Sequence, residues 1–163
     1  MSIDIAPIAQ ADAPAFRECL DCVARERRYL ALLQAPALED VQAFVTQGLR
    51  DGVARVVAKA GGRVVGWCDI QPGWPDTVRH RGSLGMGVLP EFRGQGIGWR
   101  LLGSCLNLAH QAGITRVELE TRSDNEPALR LYRRMGFETE GIKRRGMCVD
   151  GEYQQTTVMA LLL

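Results

Sequence analysis

The sequence predicts a mixed α/β fold of about seven strands and four helices, in the order β-α-α-β-β-β-α-β-α-β-β. Three observations lead to this prediction. Two β-branched runs at 54–60 and 63–71 flank a Gly-Gly pair, which is typical of a hairpin. A glycine-rich turn at 94–98 joins a strand to a long helical pattern. Asn125 precedes a second helical pattern.

The N-terminal third is expected to form one strand and two helices. Ile3 and Ile5 alternate with polar residues, as in a half-buried strand. Asp12 is expected to cap a helix that runs to about residue 24. A second helix is expected after Pro36, where apolar residues recur at helical spacing. These residues are Leu38, Val41, Val45 and Leu49.

Strands and helices alternate through the middle of the chain. A strand at 83–89 leads into the glycine-rich turn, and Gly85 and Gly87 within it indicate a bulge or a close ligand approach. A helix is expected at 97–112, followed by a strand at 116–121.

The next predicted helix has clear signals at both ends. Asn125 is a favourable N-cap residue, Pro127 suits the first turn, and Gly136 suits the C-terminal end. Two strands at about 137–145 and 153–163 are then expected to close the chain. The helix should pack on the core through one apolar stripe. The stripe comprises Ala128, Leu131, Tyr132 and Met135.

Composition excludes several classes of protein. A net charge of +1 gives no general attraction to nucleic acid or to a membrane surface. No apolar run approaches the roughly 20 residues of a membrane span, and the first residues do not resemble a signal peptide, so a cytoplasmic location is expected. The 163 residues show no linker, so residues 1–163 are expected to form a single domain.

The cysteines and histidines predict no metal site. The five cysteines are an odd number and are scattered, which argues against a disulfide framework. Cys19 and Cys22 have C-x-x-C spacing, but a second ligand pair is missing, so both are expected to be small buried residues. His80 and His110 belong to no metal-ligand pattern.

The turn at 94–98 predicts a phosphate site, because its glycines let a ligand approach the backbone. The following helix directs free N–H groups at the turn, and Arg93 supplies a further cation. A P-loop is excluded, because Gly98 is followed by Trp-Arg rather than Lys-Ser or Lys-Thr. The glycine spacing disfavours a Rossmann fingerprint, and a plain tight turn is the alternative.

Two motifs resemble those of the GNAT superfamily of acyl-CoA-dependent N-acyltransferases. The first is Arg93-x-x-Gly96-x-Gly98 after a strand that ends in valine. The second is N-x-x-A-x-x-x-Y-x-x-x-G-F, which begins at Asn125. The resemblance extends over 55–163. It implies a twisted mixed sheet flanked by helices, with acetyl-CoA as co-substrate and no metal.

The resemblance also implies where acetyl-CoA binds. The end of the strand would pair with the pantetheine arm like an added strand, and the turn would hold the pyrophosphate. The implied contacts are Met86, Gly87, Val88, Arg93, Gly94, Gln95, Gly96, Ile97, Gly98, Asn125, Ala128 and Tyr132.

For catalysis, the resemblance implies that Tyr132 donates a proton to the leaving thiolate, with simple packing as its alternative role. Strand 83–88 lacks the acid that many members use as the base. The run from Leu119 to Asn125 resembles the L-E-x-x-x-x-N run of the ribosomal-protein alanine acetyltransferase branch, in which the glutamate is the base. Glu120 is therefore the first candidate base or water-positioning group. The other candidates are Glu118 on the same strand face, Glu91 and Asp69.

The acceptor is expected to be a small primary amine such as an amino acid, because 143–153 resembles acetyltransferases of such amines. The charged run 25–29 would recognise an acceptor carboxylate or would simply be solvated. Trp67, Trp74 and Tyr153 are either pocket or core residues. The alternatives are acetylation of a protein N-terminus or lysine, and a non-catalytic CoA-binding regulatory module. A homodimer is left open.

Overall fold

The computed structural model describes residues 2–163 and contains one seven-stranded sheet in the order β1-β2-β3-β4-β5-β7-β6. The strands are β1 (Ile3–Pro7), β2 (Ala54–Ala60), β3 (Arg63–Pro72), β4 (Arg81–Val88), β5 (Arg116–Arg122), β6 (Glu138–Val149) and β7 (Glu152–Leu162). The helices are α1 (Ala13–Arg25), α2 (Leu38–Arg50), α3 (Ile97–Gln111) and α4 (Glu126–Arg134). The predicted fold class and order of elements are confirmed.

The sheet is antiparallel except between β4 and β5. These two strands run parallel, and their register covers only 81–83 of β4 and 116–118 of β5. Beyond that point β4 stays paired with β3, and β5 stays paired with β7. The two strands therefore diverge, and the side of residues 84–88 that faces β5 has no partner strand.

Helices cover the two faces of the sheet around a shared core. The Phe16 ring of α1 lies 5.7 Å from the Trp67 ring, edge to face. On the opposite face, the Cys105 thiol of α3 donates to the Cys68 carbonyl oxygen at 3.4 Å. Because consecutive strand residues face opposite sides, Trp67 and Cys68 mark the two buried faces of β3.

Two local expectations differ from the structure. Asp12 precedes α1, but its carboxylate accepts a hydrogen bond from the Ala9 N–H and pairs with Lys59 at 2.7 Å, so it does not cap the helix. Strand β6 continues to Val149, beyond the predicted end at 145. It does so because an irregularity between Lys143 and Met147 restores its pairing with β7.

Gly87 is required by core packing, whereas Gly85 is not. A Cβ on Gly87 would lie 2.4 Å from a ring carbon of Trp67, which is 3% exposed. A Cβ on Gly85 would have its nearest atom, in Asp69, at an ordinary 3.7 Å. The β3–β4 register shows no irregularity at either glycine, so of the two expected explanations, a bulge or a close ligand approach, the bulge is absent.

We expect Gly87→Ala to lower the free energy of unfolding by about 1–3 kcal/mol, because the core cannot absorb the added methyl group. The matched control, Gly85→Ala, should change it by less than about 0.5 kcal/mol. Urea unfolding monitored by circular dichroism measures both. Equal effects of the two substitutions would contradict this account of packing.

Candidate active site

A cavity of about 980 Å³ lies where β4 and β5 diverge. It is lined by the α1–α2 loop, β4, the glycine-rich turn, the start of α3, β5 and α4. Of the predicted site residues, all line it except Gln95 and the three other candidate bases, Asp69, Glu91 and Glu118. Those that do are Met86, Gly87, Val88, Arg93, Gly94, Gly96, Ile97, Gly98, Glu120, Asn125, Ala128 and Tyr132.

The turn before α3 leaves its backbone open to a ligand. Gly94 and Gly96 have left-handed conformations, with φ of +73° and +77°. No atom lies within 4 Å of the position that a Cβ would take on either glycine. Since α3 begins at Ile97, the N–H groups of its first turn have no partner within the helix. Together with the helix dipole, they form an arrangement that binds phosphate.

Arg93 is held by the protein rather than left free in the turn. Its Nε donates to the Val88 carbonyl oxygen at 2.8 Å, and its Nη1 donates to Glu26 at 2.9 Å. The guanidinium also lies 4.8 Å from the centroid of the Tyr29 ring. Arg93 therefore ties the turn to the end of α1, and its role as a phosphate cation stays a prediction.

Three other arginines line the cavity, and sequence reasoning missed them: Arg100, Arg130 and Arg134. The Arg134 guanidinium lies 5.3 Å from the centroid of the Trp99 ring, which also lines the cavity. The missed signal was the four-residue spacing of Arg130 and Arg134, which places both on one face of α4. An anionic ligand would meet these cations beside the α3 N-terminus.

Asn125 caps α4 as predicted. Its Oδ1 accepts a hydrogen bond from the Ala128 N–H at 3.4 Å, and its Nδ2 donates to the Thr121 hydroxyl at 3.3 Å. These bonds fix the start of α4 against β5. Gln95, by contrast, turns away from the cavity and donates to the Glu91 carbonyl oxygen.

Tyr132 combines a buried ring with a hydroxyl group that no described residue engages. The residue is 6% exposed, and its ring lies 5.7 Å from the Phe137 ring. Burial, and to a lesser degree the nearby Cys68, raises the pKa of the hydroxyl well above its usual range, so it stays protonated. Fully buried polar atoms without a partner, within the part of the chain described, occur only on Arg55. The Tyr132 proton is therefore available to the cavity.

Glu120 brings a negative charge to the cavity. Its carboxylate accepts hydrogen bonds from Lys143 Nζ at 2.6 Å and from the Thr156 hydroxyl at 2.5 Å. Burial tends to raise the pKa of Glu120, but the hydrogen bonds from Lys143 and Thr156 outweigh it, and the net pKa is lowered. The group is therefore ionised at neutral pH and attracts cations more readily than it accepts a proton.

Glu118 and Glu91 lie away from the cavity lining. Glu118 pairs with Arg116 at 2.8 Å and with Arg81 at 3.6 Å. Glu91 pairs with Arg63 at 3.1 Å. Both carboxylates are thus engaged in ion pairs outside the cavity, and the structure offers no contact that favours either as the base.

The α1–α2 loop contributes Tyr29, Leu30 and Ala31 to the cavity. Two hydrogen bonds from Arg27 to Asp150 join this loop to the β6–β7 turn, the Nε bond at 2.9 Å. The aromatic residues expected near an acceptor lie elsewhere. Trp67 is in the core, whereas Trp74 and Tyr153 are exposed.

Within residues 2–163, no cluster of His, Cys, Asp and Glu side chains could hold a metal ion. None of the described helices is both long and apolar enough to cross a membrane. The five cysteines are free. Cys19 is buried as expected, but Cys22 is exposed, because the buried stripe of α1 runs through Cys19 and Val23 and leaves Cys22 at its edge.

Comparisons with known proteins identify a matching family and similar chains. A model of the acetyltransferase (GNAT) family matches residues 18–137. The N-alpha-acetyltransferase RimI of Mycobacterium tuberculosis (strain ATCC 25618 / H37Rv) is 40% identical over 96 residues, 59% of this chain and 59% of that protein. The L-amino acid N-acetyltransferase AaaT of Escherichia coli (strain K12) is 28% identical over 133 residues, 81% of this chain and 82% of that protein.

The fold also matches solved structures. The phosphinothricin acetyltransferase of Sinorhizobium meliloti, solved in complex with AcCoA, superposes with a TM-score of 0.92 over 100% of this chain and 89% of that chain. At 20% sequence identity, this likeness concerns the fold alone.

Proposed function

Because this chain belongs to the GNAT acetyltransferase family, we propose that it transfers an acetyl group from acetyl-CoA to the primary amine of a small molecule, such as an amino acid. One observation carries the proposal. Tyr132, Glu120 and the open N-terminus of α3 all line a single cavity between the diverging strands. The proposal treats residues 1–163 as one cytoplasmic domain and leaves a homodimer open.

The cavity supplies the groups that direct acyl transfer needs. The open edge of β4 offers main-chain groups to the amide-rich pantetheine arm, and the start of α3 offers N–H groups to the pyrophosphate. An alkylammonium, with a pKa of about 10.4, must lose a proton before its nitrogen can attack the thioester. Glu120 would receive this ammonium and position the water beside it, and Tyr132 would protonate the departing thiolate.

A small acceptor is favoured over a protein acceptor by the extent of the match to AaaT. That relative, an L-amino acid N-acetyltransferase by name, matches 81% of this chain, whereas RimI matches 59%. A CoA-binding module without turnover would not require the unengaged Tyr132 hydroxyl.

The proposed reaction is tested by incubating the protein with acetyl-CoA and a panel of free amines, with CoA release as the readout. We expect turnover with at least one amino acid or small amine and little with N-terminal peptides. Release no faster than without amine, across the whole panel, would reject the proposal.

Tyr132→Phe tests the proton donor of this reaction, because it retains the ring and removes only the hydroxyl group. It should lower kcat by roughly ten- to a thousandfold, while acetyl-CoA still binds. A wild-type kcat in this variant, where chemistry limits the rate, would show that the hydroxyl has no catalytic role.

Acetyl-CoA binding should depend on the space at Gly96. Gly96→Glu places a bulky anion where the pyrophosphate would lie, so calorimetry should show loss of binding with a near-normal circular dichroism spectrum. Gly96→Ala controls for the positive φ, since it imposes the same backbone strain without the bulk. Equal affinity of Gly96→Glu and wild type would refute the assignment of the phosphate site.

Glu120 should matter most when the amine arrives charged. Glu120→Gln is expected to reduce kcat/KM for the amine by roughly ten- to a hundredfold near neutral pH. Part of the loss should be recovered at high pH, where free amine is abundant. Glu118→Gln, two residues away on the same face, should leave the pH–rate profile unchanged. The reverse pattern would show that Glu118 is the functional acid.

A further inference from the structure

Asp69 on β3 occupies space that would otherwise belong to a side chain of β4. Asp69 and Gly85 are direct cross-strand partners. The two carboxylate oxygens lie 3.7 and 3.8 Å from the position that a Cβ on Gly85 would take. Gly85 itself lines the cavity. The missing side chain at 85 therefore leaves the Asp69 carboxylate directly behind the cavity wall.

Gly85 and Glu120 lie where β4 and β5 have separated. The last pair between these strands is Ser83 with Glu118, so Gly85 and Glu120 are each two residues beyond it and share its face of the sheet. Both line the cavity that opens between the strands. Because Gly85 has no side chain, an amine held by Glu120 would meet the Asp69 carboxylate across this gap.

No described residue makes a hydrogen bond to the Asp69 carboxylate, and its oxygens are not among the fully buried atoms without partners. It is therefore free to bond a water or a substrate. Glu120, by contrast, already accepts two hydrogen bonds. Of the two acids, Asp69 has the greater capacity to accept a proton.

The charged surroundings of Asp69 are sparse. On β2, Arg55 is its cross-strand partner, but that guanidinium lies 3.8 Å from the centroid of the Phe44 ring and forms no ion pair with Asp69. On β4, Gly85 carries no charge. Glu120, on β5, lies on the far side of Gly85. The buried faces of α1 and α2 are apolar apart from the Cys19 thiol. Burial raises the pKa of Asp69 to about 6, although Arg55 opposes the rise.

We propose that Asp69 is the proton acceptor of the acetyl transfer, reached through the gap that Gly85 leaves. This inference rests on the proposed function. The ammonium N–H bond breaks, and its proton passes through water to an Asp69 oxygen. The free amine then attacks the thioester carbon, and the carbon–sulfur bond breaks. The thiolate takes the Tyr132 proton, the new amide nitrogen returns one to Tyr132, and Asp69 releases its proton to solvent.

The test compares pH–rate profiles of wild type and Asp69→Asn, an isosteric change that removes the charge. Wild-type kcat should rise with pH through about 6, where Asp69 loses its proton. Asp69→Asn should lose this rise and lower kcat at neutral pH by roughly ten- to a thousandfold, with an unchanged KM for acetyl-CoA. If Asp69→Asn had the wild-type kcat at neutral pH, the assignment of Asp69 would be overturned while the proposed function would stand. Absence of wild-type turnover would overturn the proposed function as well.

A relocated carboxylate provides the decisive control. The double variant Asp69→Asn, Gly85→Asp returns a carboxylate to the same space. Its kcat should be at least tenfold higher than that of the double variant Asp69→Asn, Gly85→Asn, which lacks this carboxylate. No difference between these double variants would contradict the assignment.

Thermal unfolding gives a readout that does not depend on turnover. A carboxyl with a raised pKa favours the fold while protonated. This contribution is full below the ordinary aspartate pKa of about 3.9 and is lost as the pH rises to about 6. The unfolding midpoint of Asp69→Asn relative to wild type should therefore rise between these two pH values and stay level above them. A difference that is constant across this window would count against a perturbed Asp69. Asp69→Ser repeats both measurements if Asp69→Asn fails to fold.

Discussion

The divergence of β4 and β5 is the constraint on which the rest of the site depends. Both strands stay paired on their outer sides, β4 with β3 and β5 with β7, but they pair with each other over only three residues. Beyond these residues the β5 side of β4 has no partner strand, and unpaired main-chain groups seek hydrogen bonds. The cavity follows from this arrangement of the backbone, and side chains from six segments then give it chemical character.

The site is assembled from distant parts of the chain, and ion pairs fix several of the joints. Arg93 fastens the glycine-rich turn to Glu26 at the end of α1, while its Nε secures the last carbonyl group of β4. One side chain thereby sets the relation between the glycine-rich turn, the strand that precedes it and the end of α1. Lys143 on the edge strand β6 reaches across β7 and holds Glu120 in a comparable way.

Features encoded by neighbouring residues could be predicted from the sequence, and those set by long-range register could not. Asn125 caps its helix through a residue three positions away, so the local pattern sufficed. The partner of Arg93 is 67 residues distant, and sequence reasoning left that arginine free for the ligand. The prediction that Asp12 caps α1 is wrong because Lys59, on another strand, competes for its carboxylate. Asp69 gained its significance only from its pairing with Gly85.

The link between Arg27 and Asp150 has a consequence for the α1–α2 loop. It joins this loop to the turn between the last two strands, and both side chains are exposed. Water and salt weaken exposed ion pairs. Rising ionic strength should therefore loosen the loop from the turn, while the hydrogen-bonded sheet keeps its shape.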